Sequence, residues 1–105
     1  MLDIALLQSV AAQLMSSSKI EIDGQTLPVQ RTGSRRFRMV RFTMDGRAYQ
    51  AIEQNPQRSS QWGQLARQKH QVVQFRDLQS NKYVAVAVDG EITEYGRKSP
   101  EPKTS

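Results

Sequence analysis

Three Asp-Gly dipeptides, each lying between apolar-rich segments, constrain the fold of this chain more than any other feature of its sequence. They occur at positions 23–24, 45–46 and 89–90. A two-residue type I′ turn requires positive φ at both central residues, which Asp tolerates and Gly adopts freely, so Asp-Gly between such segments indicates a β-hairpin. The flanking sequences barely match one another, which indicates repeated turn chemistry rather than a repeat protein. The sequence therefore predicts antiparallel β-structure.

The central turn fixes a strand register. Residues whose numbers sum to 91 pair across it, so Phe42 faces Tyr49 on one face, with Val40 close by. This face is predicted to join the core. The opposite face pairs Arg41 with Gln50 and is expected to be mostly solvated.

A three-stranded meander is predicted in the C-terminal part of the chain. Its strands are expected at 71–77, 82–88 and 91–95. A four-residue turn after the first strand pairs Phe75 with Val84 and Val73 with Val86, and the third Asp-Gly turn pairs Val84 with Tyr95. The two registers together predict one apolar face containing Val73, Phe75, Val84, Val86 and Tyr95.

Two further segments predict helices. Residues 2–15 place apolar side chains at helical spacing, among them Ile4, Leu7 and Leu14. Residues 59–70 begin with serines that suit a helix N-terminus. The first hairpin contains Pro28, which lacks an amide donor and limits its strand to an edge of a sheet.

These elements together predict an α+β fold. We expect an antiparallel sheet of about six or seven strands, strongly curved or in two parts, with an N-terminal helix and one helix inserted around residues 59–70. A chain of 105 residues matches the size of one domain. That domain is predicted over 1–96, and 97–105 is predicted to be a disordered tail because it holds two prolines and no apolar periodicity.

The amino-acid composition limits where in the cell the protein is expected and which side-chain chemistry it can use. The chain has no cysteine, which excludes disulfides, thiolate metal sites and thiol nucleophiles and favours a cytoplasmic location. Its first residues lack the basic segment of a signal peptide, and no stretch approaches the roughly 18 apolar residues of a membrane span. We expect no membrane association.

Motifs for catalysis are missing from the sequence. His70 is the only imidazole, and no second histidine or carboxylate cluster accompanies it as a metal site or an acid–base pair would require. The sequence also contains no Gly-rich phosphate loop and no nucleophile elbow. We therefore predict no catalytic residue, metal or cofactor. A small-ligand or enzymatic domain assembled from distant residues stays open as a third hypothesis.

Positive charge is concentrated in the middle of the chain. The net charge is +5. The segment from position 31 to 76 contains nine Arg and one Lys but only two acidic residues. Within 31–42, arginines alternate with aromatic and apolar residues, a pattern that suits phosphate contacts and base stacking. We therefore predict a non-enzymatic module that binds nucleic acid or another polyanion, although a solvated strand kept soluble by arginine has the same pattern. The candidate contact residues are Arg31, Arg35, Phe37, Arg41, Arg47, Arg58, Ser59 and Ser60.

A protein partner is the alternative hypothesis. The apolar stripe of the N-terminal helix, with Ile4, Leu7 and Leu14, could bind another protein or a second copy of this chain. The same stripe could equally pack against the chain's own sheet, as most such helices do in globular domains.

Overall fold

The three Asp-Gly turns form the hairpins that the sequence predicts. In the computed structural model, which describes residues 3–32, 37–56 and 61–95, both residues of each turn have positive φ. The values are 49° and 79° at Asp23-Gly24, 53° and 75° at Asp45-Gly46, and 51° and 89° at Asp89-Gly90. Left-handed backbone at both central positions defines the type I′ turn.

Two helices and eight strands occur among the described residues. The helices are α1 (Ile4–Ser16) and α2 (Gln61–Arg67), and the strands are β1 (Lys19–Ile22), β2 (Gln25–Pro28), β3 (Gln30–Thr32), β4 (Phe37–Met44), β5 (Arg47–Glu53), β6 (Val72–Asp77), β7 (Lys82–Val88) and β8 (Glu91–Glu94). Strands β1 and β2 form a separate two-stranded sheet, and β3 to β8 form a six-stranded sheet in sequential order. Every neighbouring pair is antiparallel.

The predicted α+β class and the two-part sheet are confirmed. The strand count exceeds the prediction by one, because the short strand β3 pairs with the start of β4. Helix α1 begins two residues later than predicted, after Asp3, whose carboxylate accepts the Leu6 N–H at 3.1 Å as an N-cap. The division into a domain over 1–96 and a tail over 97–105 stays a prediction, because residues 96–105 lie outside the described ranges.

The registers set by the Asp-Gly turns are confirmed. The central turn gives the pairs Val40–Ala51, Phe42–Tyr49 and Arg41–Gln50, and the third turn gives Val86–Thr93. One face of the six-stranded sheet, called the inner face here, is covered by α1 and the first hairpin. Its buried core is formed chiefly by Leu7, Val10, Leu14, Ile20, Val40, Phe42, Tyr49, Ala51, Val73, Phe75, Ala85 and Ala87.

Between β6 and β7 the predicted register holds only beside the turn. There Arg76 pairs with Tyr83. One residue further from the turn, Phe75 pairs with Ala85 rather than with Val84. One step on β6 thus corresponds to two on β7, which makes Val84 the extra residue of a β-bulge.

The bulge corrects the predicted apolar face of the C-terminal strands. Val73 and Phe75 lie in the core under α1, with Val84 packed at its margin. Val86 and Tyr95 lie on the other side of the sheet, called the outer face here, so the prediction that these five residues share one face is wrong. A turn fixes pairing only up to the first bulge, because an extra residue reverses the alternation of side chains beyond it.

Helix α2 covers part of the outer face. It packs against β6, and on this side Val72 and Val86 are buried outside the core cluster of the inner face. The helix ends at Arg67, earlier than the predicted residue 70, because the chain turns at Lys69 with a φ of 73°. The predicted helix start at 59–60 lies outside the described residues.

Candidate functional site

A cationic row crosses the outer face of the six-stranded sheet. Arg41 on β4 pairs with Gln50 on β5, Gln50 with Arg76 on β6, and Arg76 with Tyr83 on β7. Side chains of paired residues lie on the same face of a sheet, so these four form one line, called the arginine row here. The neighbouring row on this face consists of Gln30, Met39, Ile52, Gln74, Val86 and Thr93. Neither row contains an acidic residue.

Arg76 is the unusual member of the row. It is half-buried, and one terminal nitrogen donates to the Gln50 side-chain oxygen over 2.7 Å. Gln50 is itself only 5% exposed, and its amide nitrogen donates to the Met39 sulfur. The Nε of Arg76 is buried and has no hydrogen-bond partner in the described part of the chain.

No described carboxylate forms an ion pair with Arg76 or with the exposed Arg41. Withdrawing a guanidinium from water costs free energy that a neutral amide offsets only in part. Arg76 is thus held in place by Gln50 while its charge stays without a counter-charge on the described surface. This arrangement favours an anion that approaches the outer face.

Aromatic side chains lie beside the cationic row. Tyr83 ends the row and is 43% exposed. Trp62 of α2 and Tyr95 after β8 contact each other, with ring centroids 6.3 Å apart. Burial raises the pKa of the Tyr95 hydroxyl, and the nearby Tyr83 raises this pKa further. The side chains of Gln74 and Trp62 act in the opposite direction and lower it. Neither of the last two completes a well-formed hydrogen bond with the hydroxyl.

The predicted contact residues do not form a single surface. Arg41 and the half-buried Phe37 lie on the outer face, as alternation along β4 predicts. Arg31 pairs with Arg38 on the inner side, where the Arg38 guanidinium donates to the Met15 carbonyl at 3.4 Å. Four more of the predicted residues, Arg35, Arg58, Ser59 and Ser60, lie outside the described residues, so their assignment stays a prediction.

Arg47 is engaged in an ion pair. Its guanidinium donates to one Asp77 carboxylate oxygen through two nitrogens, at 3.0 and 2.6 Å. The other carboxylate oxygen accepts the backbone N–H groups of Gln79 and Ser80 at the β6–β7 turn. The Arg47 guanidinium and these amides hold the pKa of Asp77 below its usual value, although burial opposes them. Arg47 therefore fixes a turn, and its charge is neutralised.

His70 also has a carboxylate neighbour. Its Nδ1 lies 2.6 Å from an Asp89 oxygen, and the second oxygen of Asp89 accepts the Gln71 N–H at 2.8 Å. The Gln71 amide, followed by His70, lowers the pKa of Asp89. The pair links the third Asp-Gly turn to the start of β6.

The apolar stripe proposed for a protein partner packs on the chain's own sheet. Leu7 and Leu14 have no exposed surface, and Ile4 is partly buried against the same core. A partner that bound these residues would have to displace the inner-face packing. The protein-partner hypothesis stays a prediction.

The residues that sequence reasoning missed are Arg76, Tyr83 and the role of Gln50. The register at the central turn already paired Gln50 with Arg41, but it did not reveal that β6 lies next to β5. The Arg76–Tyr83 pair follows from the turn between β6 and β7, and this signal was available in the sequence. The lateral order of the hairpins was the missing information.

Other features that could point to a function in the described residues are a metal site, a small-molecule pocket and a membrane-spanning helix. No group of three or more metal-ligating side chains occurs in the ranges 3–32, 37–56 and 61–95. A pocket of about 170 Å³ between α1 and the sheet is lined partly by Ala11, Met15, Val73 and Asp89. That volume is below the 300 Å³ or so at which small-molecule sites begin. Among the described helices, none is long and apolar enough to cross a membrane.

Comparison of the chain with protein-family models, with curated proteins and with solved structures finds no match.

Proposed function

We propose that this protein is a non-enzymatic module that binds nucleic acid through the outer face of its six-stranded sheet. The single observation that carries this proposal is the arginine row, in which Arg41 and Arg76 lie on one face without a described carboxylate to pair with. A guanidinium presents planar N–H donors that fit phosphate oxygens, so two of them on one surface suit a polyanion.

The Gln50 contact supports a binding role for Arg76. A free arginine loses much side-chain entropy when it contacts a ligand. The hydrogen bond from Arg76 to the buried Gln50 fixes the guanidinium before a ligand arrives. Arg76 thus keeps further donors for a phosphate at a reduced entropic cost.

A purely solubilising role explains Arg41 but not Arg76. An arginine that only keeps a surface soluble extends its charge into water, as Arg41 does on its exposed position. Arg76 is half-buried and has one donor nitrogen withdrawn from solvent. Arg47 differs from both, because Asp77 neutralises its charge, and it is not part of the proposed site.

Fluorescence anisotropy tests the proposal. The probes are labelled oligonucleotides of about 16 nucleotides, single-stranded and as the matching duplex, titrated over a range of salt concentrations. We expect binding of at least one probe that weakens with salt. Arg41→Gln and Arg76→Gln should each raise the Kd and reduce the salt slope by about 1.

Lys19→Gln is the matched control. It removes one positive charge from an exposed position on β1, in the separate two-stranded sheet, so it should leave the Kd nearly unchanged. Absence of binding to every probe at low salt would overturn the proposal. An Arg41→Gln/Arg76→Gln double variant that binds as tightly as the parent would do so as well.

A further inference from the structure

Among the described residues, Tyr83 is the large hydrophobic side chain that is exposed to solvent. It lies at the end of the arginine row. A single exposed tyrosine is ordinary on a protein surface. This one is set apart by its position directly across from Arg76, one strand away, on a face that carries unpaired positive charge. A cation and a ring side by side match the alternation of phosphate and base in a nucleic-acid chain.

The other nearby aromatic rings are placed differently. Trp62 and Tyr95 are half-buried and contact each other. They stabilise the region where α2 meets the sheet. Of these three rings, Tyr83 is the most exposed and offers its face to a stacking partner from solvent.

The sheet is wider than the major groove of a duplex, and this bears on whether the ligand is double-stranded or single-stranded. Six strands about 4.8 Å apart make a surface roughly 24 Å wide. The major groove of a duplex is about 12 Å wide and admits one helix or a two-stranded ribbon. The arginine row lies on β4 to β7, in the middle of the sheet, so it does not reach paired bases in the major groove of an undistorted duplex.

A single strand has no such restriction. Its unpaired bases can turn toward the sheet and lie flat on an aromatic ring while its phosphates contact arginines. Resting on the proposed function, we propose that the ligand is single-stranded nucleic acid, with one base stacked on Tyr83 and adjacent phosphates bound by Arg76 and Arg41. The amides of Gln50 and Gln74 lie beside this path on the same face.

The test compares Tyr83→Ala with Tyr83→Phe on single strands and on a duplex of the same sequence. The single strands are supplied as both RNA and DNA. Both offer phosphates and bases, so the two probes show which kind of nucleic acid the protein binds more tightly. We expect the parent to bind at least one single strand more than tenfold more tightly than the duplex. Tyr83→Ala should raise the single-strand Kd about tenfold, as loss of one stacked base does, whereas Tyr83→Phe keeps the ring and should stay within about twofold.

The outcomes separate this inference from the proposed function. Equal affinity for duplex and single strand, or an unchanged single-strand Kd in Tyr83→Ala, would overturn the inference. The proposed function would survive that result if the Arg41 and Arg76 variants still weakened binding. Thermal unfolding of each variant serves as the folding control, and since Tyr83 is exposed we expect Tyr83→Ala to unfold as the parent does.

Discussion

The inner and outer faces of the same six strands differ in how their polar groups are satisfied. On the inner face, apolar side chains pack under α1, and at its margin Arg47 is neutralised by Asp77. On the outer face, the Arg76 guanidinium donates to the neutral side-chain amide of Gln50. Its Nε is buried and has no hydrogen-bond partner among the described residues. Of these two arginines, Arg47 has a counter-charge among the described residues and Arg76 does not.

This difference separates stability from function. Groups that serve the fold are paired within the fold, because an unpaired buried donor or charge lowers stability. We propose that the outer face offsets this cost when it binds a ligand. The outer face is therefore where changes should affect binding, and the inner face is where they should affect stability.

The largest effect is expected from Phe75→Ala on the inner face. Phe75 is fully buried and contacts Phe42 edge to face, with ring centroids 6.3 Å apart. Its removal leaves a cavity in the core, and we expect a loss of about 3–5 kcal/mol in the free energy of unfolding. Urea denaturation measures this loss. The outer-face control Tyr83→Ala should stay within about 0.5 kcal/mol, and a comparable loss there would break the distinction between the faces.

Much of the fold follows from local turn chemistry. The Asp-Gly signals fixed three hairpins and the registers of two of them within the large sheet, because type I′ geometry leaves little freedom in pairing. The bulge at Val84 was not predictable, since nothing in a run of alternating apolar residues marks where one residue is skipped. Strand β3 was missed because it is three residues long and lies within a stretch dominated by charge.

The site was predictable only in part. Arg41 and its partner Gln50 follow from the central turn, but Arg76 lies 35 positions further along the chain than Arg41. It joins them only because β5 pairs with β6 across the segment that contains α2. Such long-range pairing depends on how whole hairpins pack, which local propensity does not encode.

A smaller, pH-dependent effect is expected at the margin of the inner face. Because the folded state lowers the pKa of Asp77, its contribution is fully present above the unfolded pKa of about 3.9 and is lost as pH falls through the folded value. We expect the parent to be more stable than Asp77→Asn at neutral pH, with the difference shrinking below about pH 4. Urea unfolding from pH 7 to pH 3 measures it.

Arg47→Gln is the partner variant for this test. It removes the guanidinium that most strongly lowers the Asp77 pKa, so it should flatten the same part of the pH profile. The double variant should lose less than the two single losses added together, since both remove one interaction. Strict additivity, or a difference that persists unchanged to pH 3, would show that the ion pair does not stabilise the turn.

The smallest effect is expected from Tyr95→Phe on the outer face. The Tyr95 hydroxyl is buried without a well-formed hydrogen bond to any described residue, so removing it deletes a polar group that gains little from folding. We expect a change within about 0.5 kcal/mol, toward stabilisation. Tyr95→Ala is the matched comparison, because it also removes the ring that contacts Trp62 and should destabilise clearly. A large loss in Tyr95→Phe would mean that the hydroxyl is satisfied after all, and that the outer face resembles the inner one in pairing its polar groups within the fold.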